Sequence, residues 1–409
     1  MHRAAPLVSV WMHYGVGSGD EGPGERGLAH FLEHMMFKGT ARLPKGEIDR
    51  LTHKSGGHNN AYTMCDATAY DFGLPAESLD LALRIEADRM ENLRIDPSEF
   101  EAERGVILEE ISTAQDSPEG RLQERVDTLT FPNHPYGHPI LGRRTDVEAF
   151  TPSGLESFYS RWYTPANATL VIAGDIDEEA CLARVHELFG AIAARETAER
   201  SVPPAPAGRP AREILREPVE VPRLLLHFPS VAVSDPHEVP LECAATLLAS
   251  GRSSRLYRRL VNEGLLAHVR ADSETRRGTG VFWIDAEAHP GADLAAIEEA
   301  LFSELANLAA DGPADRELER VRHSLEAGRI YRTETCADSA EDLGDAASVR
   351  ALDAFGDYPE RLASMTAKDV AEAAADVLDR DRAVLAWSTP EGGDSGPTPD
   401  GVGAAGGSR

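Results

Sequence analysis

The strongest constraint in this sequence is a repeated order of elements on either side of a proline-rich break. The break is "ARETAERSVPPAPAGRPAR", residues 194–212, where Pro203, Pro204, Pro206 and Pro210 remove backbone donors and favour an extended linker. It divides 409 residues nearly in half, and that length suits two domains. The first half reads as a strand ("PLVSVWMHYGVGSG"), a helix around His30, and a second helix ("GEIDRLTHKSG"). Two strand-like runs follow, then helices at "LDLALRIEADRMENL" and "PSEFEAERGVILEEISTA", and finally a strand ("ATLVIAGDI") and a helix. The second half opens on a strand ("PRLLLHFPSVAV"), followed by a helix ("PLECAATLLASG") and a hairpin-like pair of strands. Three helices and a last strand, "RAVLAWST", close it. The order recurs with little residue identity, and a period of about 200 residues means duplicated domains rather than a solenoid. Strands and helices in separate runs predict an α+β fold: two homologous domains, each an antiparallel-rich mixed sheet with helices mainly on one face. The expected bounds are 1–193, a linker at 194–212, 213–388, and a disordered Gly/Pro-rich tail at 389–409.

Charge narrows the functions open to such a chain. Asp and Glu total 69 against 41 Lys and Arg, a formal net charge of −28. That balance argues against nucleic acid or an anionic membrane as a partner. No apolar run is long enough to cross a bilayer, and the N-terminus reads as a strand rather than a signal peptide. Cys65, Cys181, Cys243 and Cys336 are scattered, which suits free buried thiols in a reducing compartment. A cytoplasmic location is the expectation, or a periplasmic one if the natural N-terminus lies upstream.

The chemistry is concentrated in "GLAHFLEHMMFKGT", residues 27–40, where His30, Glu33 and His34 read H-x-x-E-H. On a helix, residues four apart share a face, so two imidazoles can aim at one point. Zinc accepts such ligands and keeps one position for water in catalytic sites. Glu33, one residue before the second histidine, can reach that water as a general base. Composition alone gives roughly 0.05 chance matches in a chain this long. A third ligand should be a carboxylate from elsewhere. On the helix "EFEAERGVILEEISTA", Glu103, Val106, Ile107, Glu110 and Ala114 fall on one face at 100° per residue, and Glu109 points nearly opposite. Inward carboxylates are costly unless they pair or bind a metal, which selects Glu110 and Glu103.

Together with "GGHNNAYT", "LALRIEADRMENL", "HPYGHPILG" and "FYSRWYTPANATLVIAGDID", these stretches resemble the pitrilysin-type family of inverted-motif zinc peptidases. The likeness spans nearly the whole chain before the tail and is nearest the mitochondrial-processing-peptidase-like, bacterial two-domain branch. The resemblance implies one zinc per chain on His30, His34 and Glu110, with Glu33 as general base and Glu103 supporting a ligand histidine. It implies that Asn60 and Ala61 lie on an edge strand that pairs with an extended peptide substrate. It also implies a catalytically empty second domain, and a homodimer or a heterodimer with a related subunit to close a chamber. The family commonly begins with one more strand, ahead of the point where this chain starts. Many members carry an Arg and a Tyr seven positions apart in the empty domain, where Val261 and His268 stand here.

The remaining candidates read as structural. In "HPYGH", Pro135 and Gly137 deny His134 and His138 a shared helical face, so a loop is expected. "SGRSSRLYRRL", from Ser250, reads as a basic helix surface, with a substrate-contacting loop as the alternative. In "LALRIEADRMENL", Glu86, Asp88 and Arg89 are expected on the polar face of a core-packing helix. His13 and His58 receive no role. The reading is a zinc endopeptidase for peptides or small unfolded proteins. The alternatives are a non-catalytic assembly subunit or a peptide-maturation protease that needs a partner.

Overall fold

The computed structural model describes residues 5–195, 200, 203, 205–349 and 351–391. The first half runs β1 (Leu7–Tyr14), α1 (Leu28–Met35), α2 (Glu47–Lys54), β2 (His58–Thr63), β3 (Thr68–Pro75), α3 (Leu79–Asn92), α4 (Pro97–Asp116), α5 (Pro118–Thr130), α6 (Arg144–Ala149), α7 (Pro152–Trp162), β4 (Ala168–Gly174) and α8 (Glu178–Phe189). The second runs β5 (Ala211–Glu217), β6 (Arg223–Pro229), α9 (Glu238–Ala249), β7 (Leu266–Glu274), β8 (Val281–Ala288), α10 (Leu294–Asp311), α11 (Asp315–Arg332), α12 (Cys336–Ser348), α13 (Leu352–Ser364), α14 (Ala367–Val377) and β9 (Val384–Pro390).

Each half builds one sheet. The first has strand order β2-β3-β1-β4 and is antiparallel throughout. The second, β5-β9-β6-β8-β7, repeats that order and adds β5, which pairs in parallel with β9. β5 begins at Ala211, two residues inside the segment read as linker, and was not expected as a strand. Pro210 just before it and the charged residues of "AREILRE" hide its alternation. The corresponding place beside β4 holds no strand among the described residues. Thr389 and Pro390, read as the start of the tail, belong to β9, and residues 392–409 lie outside the described ones.

The helices of each half cover one face of its own sheet, as the patterning predicts. In the first half Phe31, Leu32, Phe100, Ile107 and Phe158 pack beneath Met12, Tyr14 and Tyr70. In the second, α9, α10 and α14 pack on Leu224, Leu226 and Phe228. The opposite faces are covered by an exchange. α5 of the first half lies on β5, β6 and β9, where Leu122 and Val126 meet Leu225, Val384 and Ala386. α12 of the second half lies on β1 and β4, where Ala340 meets Trp11, Ala69 and Val171. β1 is therefore buried on both faces from Val8 to Tyr14. Full burial of a large apolar side chain is worth about 1.5–3 kcal/mol, so each half stabilises the other's sheet.

A buried histidine facing a half-buried carboxylate marks each crossing. His13 on β1 lies 3.5 Å from Asp345 on α12, and His227 on β6 lies 3.6 Å from Asp127 on α5. Burial lowers the His13 pKa to about 4 and the His227 pKa to about 3, so both imidazoles are neutral at neutral pH.

Glu86 and Arg89 are not on a polar face. Both are fully buried and pair with each other, while Asp88 is 5% exposed and accepts from Thr40. The Arg89 guanidinium lies 4.8 Å from the centre of the Tyr70 ring. α3 is enclosed by its sheet and by α7, whose Tyr159 hydroxyl donates to the Met90 carbonyl at 2.6 Å. A buried charge persists only when paired in this way.

Candidate metal centre and active site

α1 starts where only glycine fits. Gly27 has φ of 103°, and a Cβ there would meet the Leu141 carbonyl at 2.7 Å. The buried Glu21 carboxylate accepts from the backbone N–H groups of Gly27 at 2.7 Å and Ala29 at 2.8 Å, which caps the helix. Leu28, Phe31, Leu32 and Met35 anchor its apolar side. His30 and His34 are thereby turned toward α4, with ring centres 4.6 Å apart.

α4 approaches antiparallel and supplies the carboxylates. Its buried stripe is Phe100, Glu103, Ile107 and Ile111. Glu110 sits at the edge of that stripe, and Glu109 is exposed. Val106, expected on the inward face, is 44% exposed because the stripe passes to its other side. Glu110 Oε2 lies 3.8 Å from His30 Nε2 and 3.7 Å from His34 Nε2. One ligand atom from each of the three side chains lies within 4.8 Å of the others. These separations are too long for hydrogen bonds and short enough to share one cation. Glu110 Oε2 is buried without a hydrogen-bond partner, an orphan that a cation would satisfy.

The surroundings orient these groups. His34 Nδ1 lies 3.1 Å from Glu103 Oε2, and Lys38 Nζ lies 2.5 Å from Glu103 Oε1. A carboxylate held by lysine accepts, so Nδ1 is the nitrogen through which His34 donates, and Nε2 is left facing Glu110. Burial, helped by the neighbouring His34, lowers the His30 pKa to about 4 and leaves the His30 imidazole neutral at neutral pH. The Thr63 hydroxyl donates to Glu33 Oε2 at 2.5 Å. Burial outweighs that bond and raises the Glu33 pKa.

Asn60 and Ala61 lie on β2, which among the described residues pairs only with β3 and forms the edge of the sheet. Thr63, at the end of the same strand, ties the edge to Glu33. Between them Tyr62 donates its hydroxyl to Asp345 of α12 at 2.7 Å, so the opposite half steadies this strand. Sequence reasoning missed Thr63, Tyr62 and Lys38. Only Lys38 left a signal, its i+4 spacing from His34, although α1 ends at Met35 and Lys38 reaches Glu103 from the turn that follows. His134 accepts from the Tyr136 backbone N–H at 3.1 Å in a tight turn, as the loop reading expected. Val261 ends a π-helical turn, Tyr257–Val261, and packs against the second core, while His268 lies on β7. All four cysteines are free; Cys181 and Cys243 are buried, whereas Cys65 and Cys336 are only half-buried.

Two family models match the chain. "Insulinase (Peptidase family M16)" matches residues 2–144, and "Peptidase M16 inactive domain" matches residues 149–325. A protein of Mycobacterium leprae named an uncharacterized zinc protease is 33% identical over 343 residues, covering 82% of this chain and 76% of that one. The chain therefore belongs to peptidase family M16. The zinc protease PqqE of Helicobacter pylori is 27% identical over 376 residues, covering 90% of this chain and 84% of that protein. Among solved structures, a protease from Helicobacter pylori aligns with a TM-score of 0.88 at 25% identity, covering 95% of this chain and 96% of that chain. An M16-like peptidase from Alicyclobacillus acidocaldarius aligns at 0.86 and 25% identity, covering 95% and 94%. Among the described residues no helix is long and apolar enough to cross a membrane.

Proposed function

We propose that the chain is a zinc-dependent endopeptidase acting on extended peptides or small unfolded proteins. One observation carries this reading. His30, His34 and Glu110 bring two imidazole nitrogens and an orphaned carboxylate oxygen to one point, and Glu33 is held beside them. Zinc on these three side chains would polarise a peptide carbonyl and acidify a water. The chain's own groups supply the rest. Glu33, oriented through Oε2 by Thr63, takes the water's proton and returns it to the departing amine. Its burial makes it a stronger base than an exposed carboxylate. Glu103 and Lys38 hold His34 in the tautomer that presents Nε2. Asn60 and Ala61 offer the free edge of β2 to a peptide backbone, a mode indifferent to most side chains.

Metal analysis together with peptide hydrolysis tests the reading. The parent should bind one zinc and cut unstructured peptides. Glu33→Gln should keep the zinc and lose about 10²–10⁴-fold in rate. A Glu33→Gln protein with full activity, or a parent that takes up no zinc, would refute it. The second half contains no H-x-x-E-H, and Val261 is committed to core packing. A second chain that completes the chamber, identical or related, is therefore part of the proposal, and mass measurement of the purified protein tests it.

A further inference from the structure

The turn between β7 and β8, in the second half, reaches two loops of the first half that support the proposed zinc site. The first loop, residues 17–21, leads toward α1 and ends on Glu21, whose carboxylate caps that helix. The second, residues 64–66, leaves β2 directly after Thr63, the residue that orients Glu33. The two loops are pressed together backbone to backbone. The Ser18 N–H donates to the Met64 carbonyl at 3.1 Å, and the Gly19 N–H donates to the Cys65 carbonyl at 2.7 Å. A Cβ on Gly17 would fall 2.1 Å from the Met64 carbonyl oxygen, so the contact has no slack.

Each loop carries an enclosed carboxylate, Asp20 with a side chain 6% exposed and Asp66 with one 9% exposed. Arg277, from the β7–β8 turn, holds both. Its backbone N–H donates to Asp66 Oδ2 at 2.6 Å, and its Nη2 donates to the Asp66 carbonyl at 2.6 Å. Its Nη1 lies 3.3 Å from Asp20 Oδ1. Tyr136 closes the cluster: its hydroxyl donates to Asp66 Oδ1 at 2.7 Å and accepts from the Gly278 N–H at 3.2 Å. Burial raises the Asp20 pKa, and Arg277 followed by Arg200 opposes the rise. Asp20 thus has a second cation in Arg200, 3.1 Å away, whereas Asp66 pairs with Arg277 alone among the described residues. An enclosed carboxylate is stable only with its charge matched. Asp20 immediately precedes Glu21, and Asp66 lies three residues after Thr63. One guanidinium therefore secures both the cap of the metal helix and the strand end that holds the base.

We propose that Arg277 is a positioning residue for the active site: through Asp20 and Asp66 it sets the seat of α1, hence of His30 and His34, and the orientation of Glu33. The second half then acts on the chemistry although it supplies no metal ligand. The assignment rests on the peptidase reading, and its test has arms that do not require hydrolysis. Arg277→Met would be compared with Arg121→Met, which breaks the ion pair from α5 to Glu217, a link between the halves that touches neither loop. Three quantities would be measured on each: the urea unfolding midpoint, zinc affinity by competition with a chelator, and the visible spectrum of the protein loaded with Co²⁺ in place of zinc, which reports ligand geometry. Both substitutions should lower the midpoint. Only Arg277→Met should also weaken zinc binding, by about tenfold, and alter the Co²⁺ spectrum. At saturating zinc it should lower kcat for a peptide and leave KM little changed. Arg277→Lys keeps the charge but cannot fork between the loops. It should recover the midpoint and still bind zinc more weakly than the parent, and it carries the test if Arg277→Met does not fold. Parent-like zinc affinity and Co²⁺ spectrum in the Arg277 variants would overturn the proposal. So would losses of the same size in Arg121→Met, which would make the effect a general loosening. A parent that takes up no zinc would remove this assignment together with the functional reading. A parent that holds zinc and cuts no peptide would remove the endopeptidase reading alone, and the zinc and Co²⁺ measurements would still decide the role of Arg277.

Discussion

Gly344→Ala tests the exchange of helices between the halves. Gly344 lies in α12 where the helix crosses β1, and a Cβ there would fall 1.9 Å from His13 Nε2, 2.3 Å from Cδ2 and 2.6 Å from Cε1. The imidazole has nowhere to go: it is fully buried and stacked on Trp11 with ring centres 5.5 Å apart. Either α12 lifts from the sheet or the ring leaves its rotamer. Overpacking of this kind costs about 1–3 kcal/mol, and an overlap this deep belongs at the upper end. Exchanging glycine for alanine inside a helix returns about 1 kcal/mol. The net expectation is destabilisation of about 2 kcal/mol in urea unfolding followed by tryptophan fluorescence. Adding His13→Ala empties the space the new methyl needs, so the double variant should be more stable than the two single losses sum to, with a coupling of about 1–3 kcal/mol. A Gly344→Ala protein more stable than the parent by about 1 kcal/mol would show α12 behaving as a free surface helix. The docking of the second half onto the first sheet would then be wrong.

Glu103→Ala should weaken zinc binding by about 10–100-fold without removing a proposed ligand, because His34 loses the acceptor that fixes its tautomer; competition with a chelator measures this. Acid should destabilise the fold through His13. Its folded pKa of about 4 lies below the unfolded value of 6.5, so the unfolded chain binds the proton first as pH falls. That contribution is complete above pH 6.5 and is lost on the way down to pH 4. It amounts to about 3 kcal/mol. Burial raises the pKa of the facing Asp345, with Asp342 adding to the rise and the Tyr62 hydrogen bond opposing it, and this offsets part of the trend. His13→Asn should therefore show a shallower dependence of unfolding free energy on pH between those limits, and an unchanged slope would exclude His13 as its source.

The parts of the site that follow from periodicity were legible in the sequence. The i, i+4 spacing of His30 and His34 and the face arithmetic on α4 selected Glu110 and Glu103 over Glu109, and the structure brings those side chains together. The repeated element order likewise anticipated two similar sheets. Contacts whose partners lie far away in sequence were not legible. α12 was unread because it meets its sheet through Ala340, Gly344 and Ser348, small residues that permit close approach and carry no hydrophobic rhythm. α5 does show apolar spacing at Leu122 and Val126, yet nothing in it announces that its target is the other half's sheet. Glu86 and Arg89 were misplaced for a related reason: a charge pair reads as surface until the aromatic enclosure around it is known.

The exchanged helices also limit how this molecule can move. A hinge opening between the halves would peel a helix from each sheet at once, wetting Leu122 and Val126 on one side and Trp11 and Ala340 on the other. It would also strand His13 and His227 beside departing carboxylates. The two halves are therefore tied into one body, and a hinge between them cannot open without exposing apolar surface on both sheets at once.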